Sequence, residues 1–121
     1  MVKALFDTNI LIDHLNAAPE ADAEIDRYDD RAISIISWIE VMAGAGPDLA
    51  EPTRTYLDGY QIVGLEDRIA EQAASLRQSR RLKLPDAVIW ATAQTTGRLL
   101  VTRNTKDFPA DDPGVRAPYR I

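Results

Sequence analysis

Short apolar runs alternate along this chain with longer stretches in which apolar residues recur at helical spacing. Val2 to Phe6 is an apolar run that stops at Asp7, and Ile10 to Leu15 reads as the start of a helix. Ala32 to Ile36, rich in isoleucine, is a second run that stops at Ser37. A helix is expected from near Trp38 until Gly44-Ala45-Gly46-Pro47, a helix-ending sequence. Pro52 to Asp58 suits another short helix, and Tyr60 to Val63 a short strand. From Glu66 to Arg80, residues Ile69, Ala70, Ala73, Ala74 and Leu76 trace a helical face. Pro85 fits the first turn of the next helix, where its missing N–H costs nothing. That helix runs through Ala87, Val88, Ile89, Trp90, Ala91 and Ala93 to Gly97, and is apolar enough all round to be buried. Leu99 to Thr102 follows as a strand. Val115 to Ile121 suits a last edge strand, because Pro118 is poorly tolerated in a central one.

Strands separated by helices imply an α/β fold with a mostly parallel sheet covered on both faces. No repeat, low-complexity tract or linker divides the sequence, so residues 1–121 are expected to form one domain. Hydrophobic residues make up 45% and charged residues 27%, a balance that suits a soluble globular protein with a real core. No segment reaches the length of a membrane span, and the N-terminal apolar run is too short for a signal peptide, so a cytoplasmic location is the default. There is no cysteine, which excludes disulfides and thiolate metal sites. A metal would have to be held by oxygen ligands or by His14, and carboxylate oxygens suit Mg²⁺ or Mn²⁺.

The formal charge of -5 argues at first against a polyanionic partner, but its distribution matters more than its sum. Between Ala73 and Lys106 lie Arg77, Arg80, Arg81, Lys83, Arg98, Arg103 and Lys106, with Asp86 the single acid among them. A lone acid in a basic third fits a metal ligand beside a phosphate-binding surface, or else a solvated helix face.

In such a sheet, sites form beyond the carboxyl ends of the strands. Asp7 follows the first run directly. Glu40 lies four residues past the second, in the expected first turn of its helix. Asp86 stands at a helix start, and Asp107 lies five residues after Thr102. Each has a structural alternative. Asp7 could be an N-cap, Ser37 to Glu40 a capping box, Asp86 a favourable charge at a helix dipole, and Asn104 to Asp107 another cap. The four together argue for a divalent cation. Two carboxylates 4 Å apart repel by about 4 kcal/mol at an effective dielectric of 20, so a converging cluster needs a neutralising partner.

Other motifs carry less. Gly44 and Gly46 lack the lysine and preceding strand of a phosphate loop. His14 has no HExxH pattern and reads as a surface residue. Ser37 has no histidine placed for a triad. Trp38 and Trp90 sit in apolar helical settings and read as core.

Asp7-Thr8-Asn9-Ile10-Leu11-Ile12-Asp13 resembles the opening of PIN-domain ribonucleases, above all the VapC toxins of toxin–antitoxin pairs. Ser37-Trp38-Ile39-Glu40 fits the place of their second acid, and Leu84-Pro85-Asp86-Ala87 the third. Leu100 to Phe108, with Thr102-Arg103-Asn104-Thr105-Lys106-Asp107, is similar to their closing motif. These segments keep the family's order and span nearly the whole chain. The resemblance implies a three-layer PIN-like domain in which Asp7, Glu40, Asp86 and Asp107 hold one or two Mg²⁺ or Mn²⁺ ions. Asn9, Ser37, Thr102 and Asn104 would orient the acids and the attacking water, with the fourth acidic role shared variably between the positions of Asn104 and Asp107. It further implies an endoribonuclease, usually a homodimer, restrained by a cognate protein antitoxin.

The expected chemistry is metal-assisted phosphodiester hydrolysis, with Arg81, Lys83, Arg103 and Lys106 as candidate contacts to the RNA backbone. Three rival readings deserve comparison. A catalytically silent PIN-fold module that binds RNA or protein is disfavoured by four intact acids. A phosphatase with Asp7 as nucleophile would favour an acid two residues on, where Asn9 stands, and a receiver-like phosphoacceptor would want adjacent acids where Asp7-Thr8 stands.

Overall fold

The expected strands all form, most of them shorter than the runs that announced them. They are β1 (Lys3–Phe6), β2 (Asp30–Ser34), β3 (Gln61–Val63), β4 (Leu99–Val101) and β5 (Val115–Arg116). In the computed structural model, which describes residues 1–120, they make one sheet in the order β3-β2-β1-β4-β5. Every pairing is parallel. Helices α1 (Thr8–Leu15), α2 (Pro19–Asp26), α3 (Ile35–Ala45), α4 (Ala50–Leu57), α5 (Asp67–Arg80) and α6 (Leu84–Thr96) connect them, with a 3₁₀ turn at Pro47–Leu49.

Alternation along the strands divides the core into two layers. Leu5, Ala32 and Leu100 point to one face, where they pack with Ile69, Ala73 and Leu76 of α5 and with the buried side of α6 around Trp90. Ala4, Phe6, Ile33 and Val101 point to the other, against Ile10 and Leu11 of α1, Ile25 of α2, Val41 of α3 and Leu57 of α4. The expected α/β sandwich of helices on both faces is therefore what forms. Trp90 is fully buried, as expected, whereas Trp38 is only half-buried.

Several boundaries differ from expectation, each for a local reason. β2 ends at Ser34 rather than Ile36, because the Ser34 hydroxyl accepts a 3.1 Å hydrogen bond from the Ile36 N–H and caps α3. Residues 35 and 36 thus belong to the helix, which starts well before Trp38. α4 begins at Ala50 instead of Pro52, running straight on from the 3₁₀ turn. α2 was not anticipated: it buries only Ala21, Glu24 and Ile25, too few apolar positions to mark a face. β5 is an edge strand as expected but only two residues long, and Ile121 lies outside the described residues. Among the described residues no helix is long and apolar enough to cross a membrane.

The chain lays down β1, β2 and β3 in one direction, then returns to place β4 on the free side of β1. This reversal puts a crevice beyond the carboxyl ends of β1 and β4, the usual site position in open parallel sheets. At the opposite edge, buried Arg98 joins three strand starts. It donates to Asp30 Oδ1 at 2.6 Å, Gln61 Oε1 at 3.0 Å and the Ala4 carbonyl at 3.3 Å.

Candidate metal centre

Asp7 occupies the crevice floor because β1 ends there and α1 begins. Its backbone N–H still bonds the Val101 carbonyl of β4 at 2.9 Å, which sets its side chain beside Thr102. Oδ1 accepts from the Thr8 N–H at 2.7 Å, so the N-cap reading of Asp7 holds. Oδ2 accepts from the Thr102 hydroxyl at 2.7 Å and from Asn9 Nδ2 at 3.1 Å. Burial pushes the Asp7 carboxyl above its ordinary range, with Glu40 adding to the rise and the bonds from Thr102, Thr8 and Asn9 opposing it. Cap and functional site are thus one residue.

Glu40 projects from the second turn of α3, one turn later than expected, since the helix starts at Ile35. The capping-box alternative fails with that shift: Ser34 is the cap, and Ser37 lies inside the helix, fully buried. Thr8 Oγ1 stands 2.7 Å from Glu40 Oε1 and 2.9 Å from Ser37 Oγ. One hydroxyl proton cannot serve both, and an ionised carboxylate only accepts, so the proton goes to Glu40. Thr8 was not singled out in the sequence, where its position after Asp7 marks only a first helical turn.

Asp86 lies in the first turn of α6, half-buried, and Lys83 precedes that helix as its N-cap residue. Its carboxyl is pushed up to about 6 by burial first, then by the charges of Asp7, Asp107 and Glu40, with Lys83 opposing. The charges of Asp7, Asp107 and Glu40 thus bear on Asp86 across the crevice. Asp107 closes the ring from the loop after β4. Asn104 Nδ2 donates to its Oδ2 at 3.0 Å, and its own N–H donates to Asn104 Oδ1 at 3.2 Å. Asn104 and Asp107 thus bracket a tight turn with reciprocal bonds, although among the described residues no helix follows for them to cap, and the Asp107 charge still bears on Asp86.

Among the described residues no three His, Asp or Glu side chains stand close enough to hold an ion as they are. Repulsion between like charges at short range is reason enough for these side chains to stand off. The donor chemistry nevertheless fits a hard divalent cation: the candidate ligands are carboxylate oxygens, and neighbouring acids add to the rise that burial gives the Asp7 and Asp86 carboxyls.

The candidate phosphate contacts divide. Arg81, Lys83 and Lys106 are exposed. Arg103 instead forks onto Asp13, with Nε 2.5 Å from Oδ2 and Nη2 3.0 Å from Oδ1. Elsewhere in the basic third, Arg98 is buried at the far edge and Arg80 lies over Trp90, 4.7 Å from its ring. His14 is no free surface residue: it stands 2.8 Å from the Tyr56 hydroxyl and 3.3 Å from Asp22.

Fold and crevice together define a class, and the comparison with known families agrees: the chain belongs to the PIN domain family, whose pattern matches residues 4–110. Among solved structures it is similar to a chain of a toxin–antitoxin complex from Klebsiella pneumoniae. The two are 48% identical with a TM-score of 0.93, over 98% of this chain and 100% of that one. The fold also matches FitAcB from Neisseria gonorrhoeae (22% identity, TM-score 0.81, 98% and 99% of the two chains). DNA-bound VapBC from Salmonella typhimurium shares it as well (23% identity, TM-score 0.75, 96% of each chain). No match was found among curated proteins.

Proposed function

We propose that this chain is a cytoplasmic Mg²⁺- or Mn²⁺-dependent endoribonuclease and the toxin of a toxin–antitoxin pair. The observation that supports the reading is the gathering of Asp7, Glu40 and Asp107 around Asp86 at the sheet's carboxyl edge, where burial first and then their charges push the Asp86 carboxyl up to about 6. A bound divalent cation supplies neutralisation of these acids, acidification of the attacking water and charge stabilisation on the phosphate.

The chain's own residues provide the rest. Thr102, Asn9 and the Thr8 N–H fix Asp7 in one orientation. Thr8 aims Glu40, and Asn104 aims Asp107. Lys83, just before the helix that carries Asp86, and Lys106, on the loop that carries Asp107, draw the phosphodiester chain toward the acids. Arg81 extends that basic rim. No histidine base is required, and the 2′-hydroxyl takes no part, so the products should carry 5′-phosphate and 3′-hydroxyl ends.

The antitoxin partner is supported by likeness to a chain solved in a toxin–antitoxin complex. A groove of about 410 Å³ beside Glu40, lined by Ile12, Leu15, Val41, Leu49 and Pro52, suits the apolar face of a partner segment. A homodimer is part of the same proposal.

The test is cleavage of structured RNA with Mn²⁺, with and without EDTA, by wild type and by Asp86→Asn. Cleavage should require the metal and Asp86. Activity that survives both chelation and substitution overturns the mechanism, and a folded wild type that binds RNA but neither metal nor cuts would make it a silent binding module.

A further inference from the structure

Arg103 is pinned twice to one face of α1. Its backbone N–H donates to Asn9 Oδ1 at 3.1 Å, and its guanidinium forks onto Asp13 one turn further along. Residues 9 and 13 share a face because four residues make about one helical turn. Asp13 is buried and also accepts from the Tyr119 hydroxyl at 2.9 Å. The tail, the loop after β4 and α1 therefore meet at this carboxylate.

The consequence reaches the metal site through Asn9. An amide side chain has one acceptor end and one donor end. The Arg103 N–H occupies the acceptor, which leaves Nδ2 to face Asp7 Oδ2 at 3.1 Å. On either side of Arg103, Thr102 donates to Asp7 and Asn104 donates to Asp107. Fixing residue 103 thus fixes the loop that orients two of the four acids. The fork is also a poor phosphate contact, since recruiting Arg103 to RNA would strand a buried Asp13 with the Tyr119 bond alone.

We propose that Asp13, Arg103 and Tyr119 are positioning residues that clamp the Thr102–Asp107 loop to α1 and so hold the Asp7 and Asp107 carboxylates in place. The inference rests on the nuclease reading for its catalytic meaning, though not for its geometry. Three measurements test it in Asp13→Asn, Arg103→Lys and the milder Tyr119→Phe. Loss of such a supporting contact should weaken Mn²⁺ binding about tenfold, read by calorimetry. kcat should fall by about the same factor with KM for RNA unmoved, and amide exchange at Arg103 and Asn104 should quicken about tenfold or more. Tyr119→Phe should show the same pattern at smaller size, and it replaces Asp13→Asn if that variant does not fold.

An RNA-contact role for Arg103 predicts the reverse. Asp13→Asn would free the guanidinium and lower KM, Arg103→Lys would raise it, and Mn²⁺ affinity would stay put; that result overturns the clamp. If the wild type neither binds Mn²⁺ nor cuts RNA, the nuclease reading falls by itself. Exchange then decides the clamp alone: faster exchange at Arg103 and Asn104 in Asp13→Asn upholds it, and unchanged exchange overturns it.

Discussion

Asp86 is the acid at which the cost of the site is most visible. It is half-buried and faces three other carboxylates, with Lys83 opposing them. A neutral side chain of the same shape removes that repulsion. Asp86→Asn should therefore abolish cleavage while raising the metal-free protein's stability by up to about 1 kcal/mol, a gain kept modest by solvent screening. Thermal unfolding with and without Mn²⁺ reads both effects. Saturating Mn²⁺ at one hundred times its dissociation constant should stabilise wild type by about 2.7 kcal/mol. Asp86→Asn should lose most of that gain. A variant less stable than wild type without metal would show that Asp86 serves the fold rather than the site. Asp7 is the contrasting case, because it caps α1 as well as facing the crevice. Its replacement by Ala should cost roughly 1 kcal/mol of stability besides any activity.

Helix α2 shows where an element's stability comes from when its apolar face is thin. Glu24 is buried and holds Arg116 of β5 through a fork of 2.6 and 2.9 Å, while Tyr28 donates to it at 2.8 Å. Burial alone would raise the Glu24 carboxyl, but the Arg116 and Tyr28 bonds and the charges of Arg116 and Arg27 outweigh it and hold it below its ordinary value. A lowered carboxyl stabilises the fold above the unfolded value of about 4.3 and loses that contribution as pH falls through the folded one. Glu24→Gln should cost about 1.5 kcal/mol at pH 7, near the low end for charged hydrogen bonds because Arg116 is a third exposed. Urea midpoints measured from pH 7 downward should show the gap to wild type closing below about pH 4; a gap independent of pH would assign the loss to packing. This long-range pairing is also why α2 was illegible in the sequence, since its partner lies 92 residues away. The strands and α6 were legible because local apolar runs and Pro85 announce them. The start of α3 was misplaced because Ile35 and Ile36 read equally well as strand, and only the Ser34 cap decides. The acids' placement at the strand ends followed from topology, whereas Thr8 and Asp13 act through partners that spacing does not reveal.

At the scale of the whole molecule, the proposed function gives the charged and the apolar surface different partners to meet. The basic third of the sequence is not one surface: Arg98 and Arg103 are held by Asp30 and Asp13, which leaves Arg81, Lys83 and Lys106 exposed near the acids' elements. RNA affinity should fall as salt rises, and Lys83→Ala or Lys106→Ala should each reduce the slope of log affinity against log salt by about 1. Slopes unchanged in both variants would move the RNA path elsewhere. The protein partner should meet a different surface. Ile12, Leu15 and Leu49 are each more than 40% exposed and share the groove that ends at Glu40. Exposed apolar side chains scattered singly need no explanation, but several lining one groove do. A segment seated there would bury them and also cover an acid of the site, so inhibition follows from occupancy alone. Leu49→Glu places a charge in that contact and should weaken antitoxin binding at least about tenfold, the equivalent of 1.4 kcal/mol. Ile62→Glu, on β3 away from the groove, serves as the control for added charge. Equal losses in both variants, or none in Leu49→Glu, would remove the groove as the docking surface, and calorimetric titration with the antitoxin distinguishes these outcomes.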